Sequence, residues 1–135
     1  MKMPDTIDRE LLAPCGLDCL LCHHHCASAE PCKGCRGGQG KSKHCRDCDI
    51  LACATAKGYR YCKDCWEFPC DKLKRFQMTY IERFGHGFLQ NARLMRAEGE
   101  QALIDAHRAE WRCPDCGGVV CIHDGLCTEC GKPVK

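Results

Sequence analysis

Six C-x-x-C pairs are the residues in this sequence best placed to do chemistry: Cys19/Cys22, Cys32/Cys35, Cys45/Cys48, Cys62/Cys65, Cys113/Cys116 and Cys127/Cys130. Two residues between thiolates let one tight turn aim both sulfurs at a single point. Two such turns supply the four soft ligands of a tetrahedral zinc ion or an iron–sulfur cluster. Twelve of the 17 cysteines fall between Cys15 and Cys70, and the other five between Cys113 and Cys130. One pair says little; six make a metal-structured protein the leading reading.

The most specific pattern is at the end of the chain. Cys113-Pro114-Asp115-Cys116-Gly117 and Cys127-Thr128-Glu129-Cys130-Gly131 flank a turn signal at Asp124-Gly125, which predicts two knuckles joined by a β-hairpin, a short zinc ribbon. Cys121 reads as a buried free thiol on that hairpin and His123 as a hairpin side chain.

The first cluster leaves more open. Cys15, Cys19, Cys22 and Cys26 follow helical spacing and could line one face of a short helix, but a regular helix cannot wrap four ligands around one ion. The spacing of Cys15, Cys19 and Cys22 is also that of radical S-adenosylmethionine enzymes, whose β/α partial barrel this chain is too short and too poor in strands to build. Cys32/Cys35 and Cys45/Cys48 are nine residues apart, a knuckle spacing, across a Gly-rich loop with no Walker pattern. His23-His24-His25, and His44 beside Cys45, invite a metal reading; the reading preferred is that they mostly meet solvent, since cysteines already suffice. Trp66 and Phe68 read as covers for the sulfurs of Cys62, Cys65 and Cys70 rather than as base-stacking platforms.

The elements that must position these groups are mainly helical. Residues 49–57 read as a short helix ended by Gly58. Leu73, Phe76, Tyr80, Phe84 and Phe88 recur at three- and four-residue steps, with Leu89, Ala92 and Met95 beyond a break at Gly85-His86-Gly87. Gly99 precedes a last helix over 100–110. The fold class expected is a small, metal-stabilised, mainly α protein. It divides into a Cys-rich zinc-knuckle region over 1–70, a helical segment over 71–110 and the zinc ribbon over 111–135.

Composition supports staples over a large core. The hydrophobic fraction of 44% counts all 17 cysteines, and Val and Ile together number eight. No signal-like or membrane-length apolar run is present, so a cytoplasmic address is expected, where thiols stay reduced and bind metal. The formal charge of +2 counts cysteines as neutral. Four sites of four thiolates, each site carrying two net negative charges with zinc, would bring it to about −6, against nonspecific nucleic-acid binding. Lys72, Lys74, Arg75, Arg83, Arg93 and Arg96 are read as a solvated face.

Several segments together resemble one family. Ala13-Pro14-Cys15-Gly16-Leu17-Asp18-Cys19, Gly34-Cys35-Arg36, Cys48-Asp49-Ile50 leading to Cys53-Ala54, and Tyr61-Cys62 through Phe68-Pro69-Cys70 are similar to the DUF3795 family, with the likeness carried on through Asn91, Gly99 and the Trp111 ribbon. Its members are small Cys-rich proteins, largely from anaerobes. The resemblance implies metal binding and brings no activity. It also sets Cys26 and Cys45 outside the family pattern and favours Cys48 with Cys53 as partners of Cys32/Cys35.

The expected ligands are therefore Cys15, Cys19, Cys22, Cys32, Cys35, Cys48, Cys53, Cys62, Cys65, Cys70, Cys113, Cys116, Cys127 and Cys130, holding three or four zinc ions. The function expected is a non-catalytic, zinc-structured module for a protein partner, since closed four-thiolate sites leave no position for substrate. The alternatives are an iron–sulfur redox protein built on the N-terminal cysteines and, less favoured, a nucleic-acid-binding zinc protein. No membrane association is expected.

Overall fold

The computed structural model describes the backbone of all 135 residues and every side chain except that of His44, so the reading of His44 lies outside the described residues. Among the described residues six α-helices carry the chain: α1 (His23–Cys26), α2 (Lys43–Arg46), α3 (Asp49–Lys57), α4 (Asp71–Phe84), α5 (Leu89–Glu98) and α6 (Glu100–Glu110). The protein is small, mainly helical and rich in cysteine, with a cysteine cluster at its C-terminal end.

Helix α3 ends at Gly58, as its sequence predicts, and α6 spans the expected residues. The predicted break falls between α4 and α5, where Gln77 Oε1 accepts the N–H groups of Phe88 and Leu89 at 2.7 and 2.8 Å and satisfies donors at the start of α5. Helices α5 and α6 pack side by side. Leu73, Tyr80, Phe88, Leu89 and Met95 are all buried, so the periodic positions do face inward.

One apolar cluster runs from Met3 and Leu11 through Leu20, Leu73, Phe88 and Leu103 to Trp111 and Val120. The Cys15 loop meets it closely at Gly16, which has φ +106° and where a Cβ would stand 2.9 Å from the Phe88 carbonyl oxygen. Only glycine lets the Cys15 loop lie against the start of α5.

Two local expectations fail. Cys15, Cys19, Cys22 and Cys26 do not share a helix: a 3-10 turn over Cys19–Leu21 gives way to extended backbone at Cys22 before α1. Asp18 drives that turn, because its Oδ1 accepts the Leu20 N–H at 3.0 Å and diverts the backbone from α geometry.

The predicted β-hairpin is not found either. Among the described residues the C-terminal segment has only isolated antiparallel bridges, Arg112↔Val119, Val120↔Cys127 and Leu126↔Pro133. The reason lies in the turn that was read as a hairpin tip. Cys121-Ile122-His123-Asp124-Gly125 repeats the hydrogen bonding of both knuckles: Gly125 N–H to Cys121 O (2.8 Å) and Cys121 N–H to Leu126 O (2.9 Å) match Gly117 to Cys113 and Cys113 to Gly118. Gly131 to Cys127 and Cys127 to Lys132 form the third copy. Gly117, Gly125 and Gly131 share φ of 76°, 72° and 72°, a conformation open to glycine at little cost. Three successive knuckle turns leave too few residues for a two-stranded ladder.

Candidate metal centres

The clearest site is built by the first and third of these turns. The Sγ atoms of Cys113, Cys116, Cys127 and Cys130 all lie within 4.8 Å of one another, with Cys113–Cys130 at 3.8 Å and Cys116–Cys127 at 3.5 Å. Cys113 and Cys127 are buried, whereas Cys130 is exposed. Burial opposes ionisation of Cys127, but the N–H groups of Cys130 and Glu129 aimed at its sulfur, with the neighbouring thiols, bring it down to about 6. Those donors favour the thiolate, the form that binds metal. The donor set therefore fits zinc or iron held by four sulfurs. Lys2 reaches across from the other end of the chain, its Nζ donating to Cys116 O at 2.7 Å.

A second group of thiols surrounds a cavity of about 40 Å³ whose lining includes Cys53, Cys62, Cys65, Cys70, Lys57 and Phe68. Cys53 reaches it from α3, Cys62 and Cys65 from a 3-10 turn and its cap, and Cys70 from the N-cap of α4. Burial, then the neighbouring Cys70, Cys53 and Cys65, push Cys62 up to about 11. Phe68 lines this cavity, as its sequence position suggests, but Trp66 does not cover the sulfurs: its side chain is 84% exposed.

Cys35, Cys48 and Cys62 stand near buried Cys15. Burial holds its thiol well above the ordinary range, and Cys35, Cys48 and Cys62 add to that repulsion. A hydrogen bond with Cys19, opposed by one with Cys45, combines with burial to raise Cys35 to about 12. Cys32 Sγ accepts the N–H groups of Ser42 (3.0 Å) and Gly34 (3.4 Å), while Cys45 Sγ accepts the Ser42 hydroxyl at 3.4 Å. Cys48 stands near Cys15, Cys35 and Cys62, and Cys53 lines the Cys62 cavity.

A third set escaped the sequence reading. Cys22, His23 and His123 place one ligand atom each within 4.8 Å of the others. His123 comes from the middle knuckle turn, 100 residues from His23, and only the repeat Cys-x-x-x-Gly at 113, 121 and 127 could have marked it. Cys121, in the same turn, is buried as expected and stands beside buried Cys26.

Residues 11–75 match the DUF3795 family. The family is described as a protein of unknown function, and the match takes in the whole N-terminal cysteine cluster. It stops short of Asn91, Gly99 and the Trp111 turns, to which the sequence likeness had extended. No curated protein and no solved structure matches the chain. Among the described residues, no helix is long and apolar enough to cross a membrane.

Proposed function

We propose that the chain is a zinc-structured interaction module in which metal holds a surface in shape for a protein partner in the cytoplasm. The observation that carries this reading is the C-terminal set, four Sγ atoms mutually within 4.8 Å on two like turns. Zinc suits it because four thiolates in a closed cage give a filled tetrahedral shell. A filled shell leaves no place for substrate, so the site's work is structural. Cys53, Cys62, Cys65 and Cys70 line one cavity and are read as a second site, although among the described residues their ligand atoms are not gathered within 4.8 Å as the C-terminal four are. The exposed Trp66 ring beside it offers a partner an aromatic contact.

Elemental analysis of protein purified without oxygen tests the reading. Zinc in excess of two equivalents per chain, with Cys116→Ser losing about one, is the expected result. A Cys116→Ser chain with undiminished zinc would overturn the C-terminal assignment.

One observation favours iron for the innermost thiols. Cys15 is buried, with Cys35 and Cys48 beside it and Cys19 beside Cys35, all three partly buried, a grouping of four thiols that a cubane cluster could use. A brown protein with several irons per chain would assign that group to iron–sulfur chemistry and leave the zinc reading to the other two sets.

A further inference from the structure

We propose that Cys22, His23 and His123 form a third, mixed-ligand metal site that keeps one coordination position open to solvent and ties the family-matched segment to the C-terminal turns. The proposal goes beyond the closed sites and uses none of their thiols. Its ligand atoms lie mutually within 4.8 Å, and the two imidazole Nδ1 atoms face each other at 2.7 Å.

Two hydrogen-bonded surface histidines would account for that short distance alone. They would not account for how His123 is held. Its far nitrogen, Nε2, lies 3.1 Å from the Tyr80 hydroxyl, and its ring stacks on Phe84 with centroids 4.3 Å apart and planes 28° from parallel. Metal-bound histidines characteristically have the second nitrogen fixed in this way, which orients the ring and leaves the first nitrogen aimed at the ion. The turn that carries His123 has the same backbone as the two cysteine knuckles, so it is a ligand-presenting turn with a different ligand.

On the other side, Cys22 sits on extended backbone at the N-cap of α1, and His23 is the first residue of that helix, exposed. Two nitrogens on one tetrahedral ion stand roughly 3.3 Å apart, given metal–nitrogen bonds of about 2.0–2.1 Å. His23 must therefore swing outward by roughly 0.6 Å from its present contact. An exposed side chain at a helix start can do so, while His123 stays clamped.

One thiolate and two imidazoles select zinc among the abundant divalent ions, and cobalt substitutes for it. Three protein ligands leave a fourth position, and with His23 at the surface water can fill it. This is the coordination that distinguishes a reactive zinc from a structural one.

The test uses the full-length protein and its His23→Ala variant, chosen because the side chain is exposed and its loss should not disturb folding. Both are loaded with cobalt(II) without oxygen, and metal is counted alongside the visible spectrum. The expected result is one equivalent fewer in His23→Ala, matched by His123→Ala. Azide should shift the visible bands of the wild-type protein and leave those of His23→Ala unchanged. Equal metal counts in wild type and both histidine variants would overturn the site. Azide-insensitive bands would overturn the open position. Cys116→Ser serves as the separate control: if it loses an equivalent and His23→Ala does not, the closed C-terminal site stands and this one falls.

Discussion

His107 Nδ1 lies 2.9 Å from Asp18 Oδ2, and both residues are buried, each 5% exposed, although 89 positions separate them. Asp18 spends its other oxygen on the Leu20 N–H. Asn91 completes the junction, with Oδ1 3.3 Å from His107 Nε2 and Nδ2 donating to Gly16 O at 3.0 Å. Three polar side chains thus lock the Cys15–Cys22 loop onto α5 and α6.

Removing one partner from a buried polar pair leaves the other without water or a hydrogen bond, at a cost of about 1–3 kcal/mol. His107→Ala should therefore destabilise the metal-loaded protein by about that amount. The check is the denaturation midpoint with metal content held constant. An unchanged midpoint would mean that the pair is incidental to the fold.

Cys53 and Cys48 are close in sequence but placed differently: Cys53 lines the Cys62 cavity, and Cys48, not among its lining residues, lies near Cys15 as well as Cys62. Cys53→Ser should release the same metal equivalent as Cys62→Ser, and the double variant should lose no more than either alone. Cys48→Ser should instead lose a different equivalent, additive with Cys53→Ser. Additive losses for Cys53→Ser and Cys62→Ser would dissolve the proposed set.

What the sequence revealed depended on how locally each site closes. Cys113, Cys116, Cys127 and Cys130 span 18 residues and use two turns, each written as C-x-x-C-G, so the set was legible outright. Helices α3, α4 and α6 were legible because periodicity and terminal glycines are local signals. The grouping of Cys53 with Cys62, Cys65 and Cys70 was not, because it depends on how α3 packs against the turn before α4. Asp18 with His107, and Cys22 with His123, join residues about 90 to 100 positions apart, and no spacing rule reaches that far. The hairpin expectation went astray for a different reason. Asp124-Gly125 is a good hairpin signal, yet the cysteine three residues before Asp124 makes it the end of a knuckle turn.

Metal removal should unfold the first 70 residues more readily than the helical segment. The N-terminal region has short helices and loops strung between thiols, whereas α4, α5 and α6 are longer helices on which Leu73, Met95 and Leu103 are buried. Ligands ordered by an ion are disordered without it. Limited proteolysis after exhaustive chelation should cut first before residue 70. Native-like protease resistance of that region without metal would refute the prediction.

Random DNA or RNA should bind weakly. Metal-loaded thiolate sites turn the formal charge of +2 negative, which removes the electrostatic drive for nonspecific binding. Binding titrations at physiological salt should give no submicromolar affinity. Tight, salt-sensitive binding, lost on replacing Lys72, Arg75, Arg93 and Arg96, would favour the nucleic-acid reading instead.

Acid should destabilise the seam through His123. Burial, followed by the nearby His23 and His24, lowers its pKa from 6.5 to about 4. The folded protein therefore prefers the neutral ring, and the stability this contributes is fully present above about pH 6.5. Below that the unfolded chain takes up a proton that the folded one refuses, and the contribution fades until the pH passes through about 4. The ring is only partly buried, so the effect is smaller than the full shift implies. The measurement is the melting temperature between pH 7 and 4.5 for His23→Ala and for His23→Ala with His123→Gln. Removing His23 takes any ion shared by the two rings out of the comparison while leaving burial, the main cause, in place. Glutamine keeps a polar group facing the Tyr80 hydroxyl but does not titrate. The histidine-bearing chain should lose more stability than the glutamine chain as the pH falls, and parallel curves would show that His123 titrates alike in the folded and unfolded states.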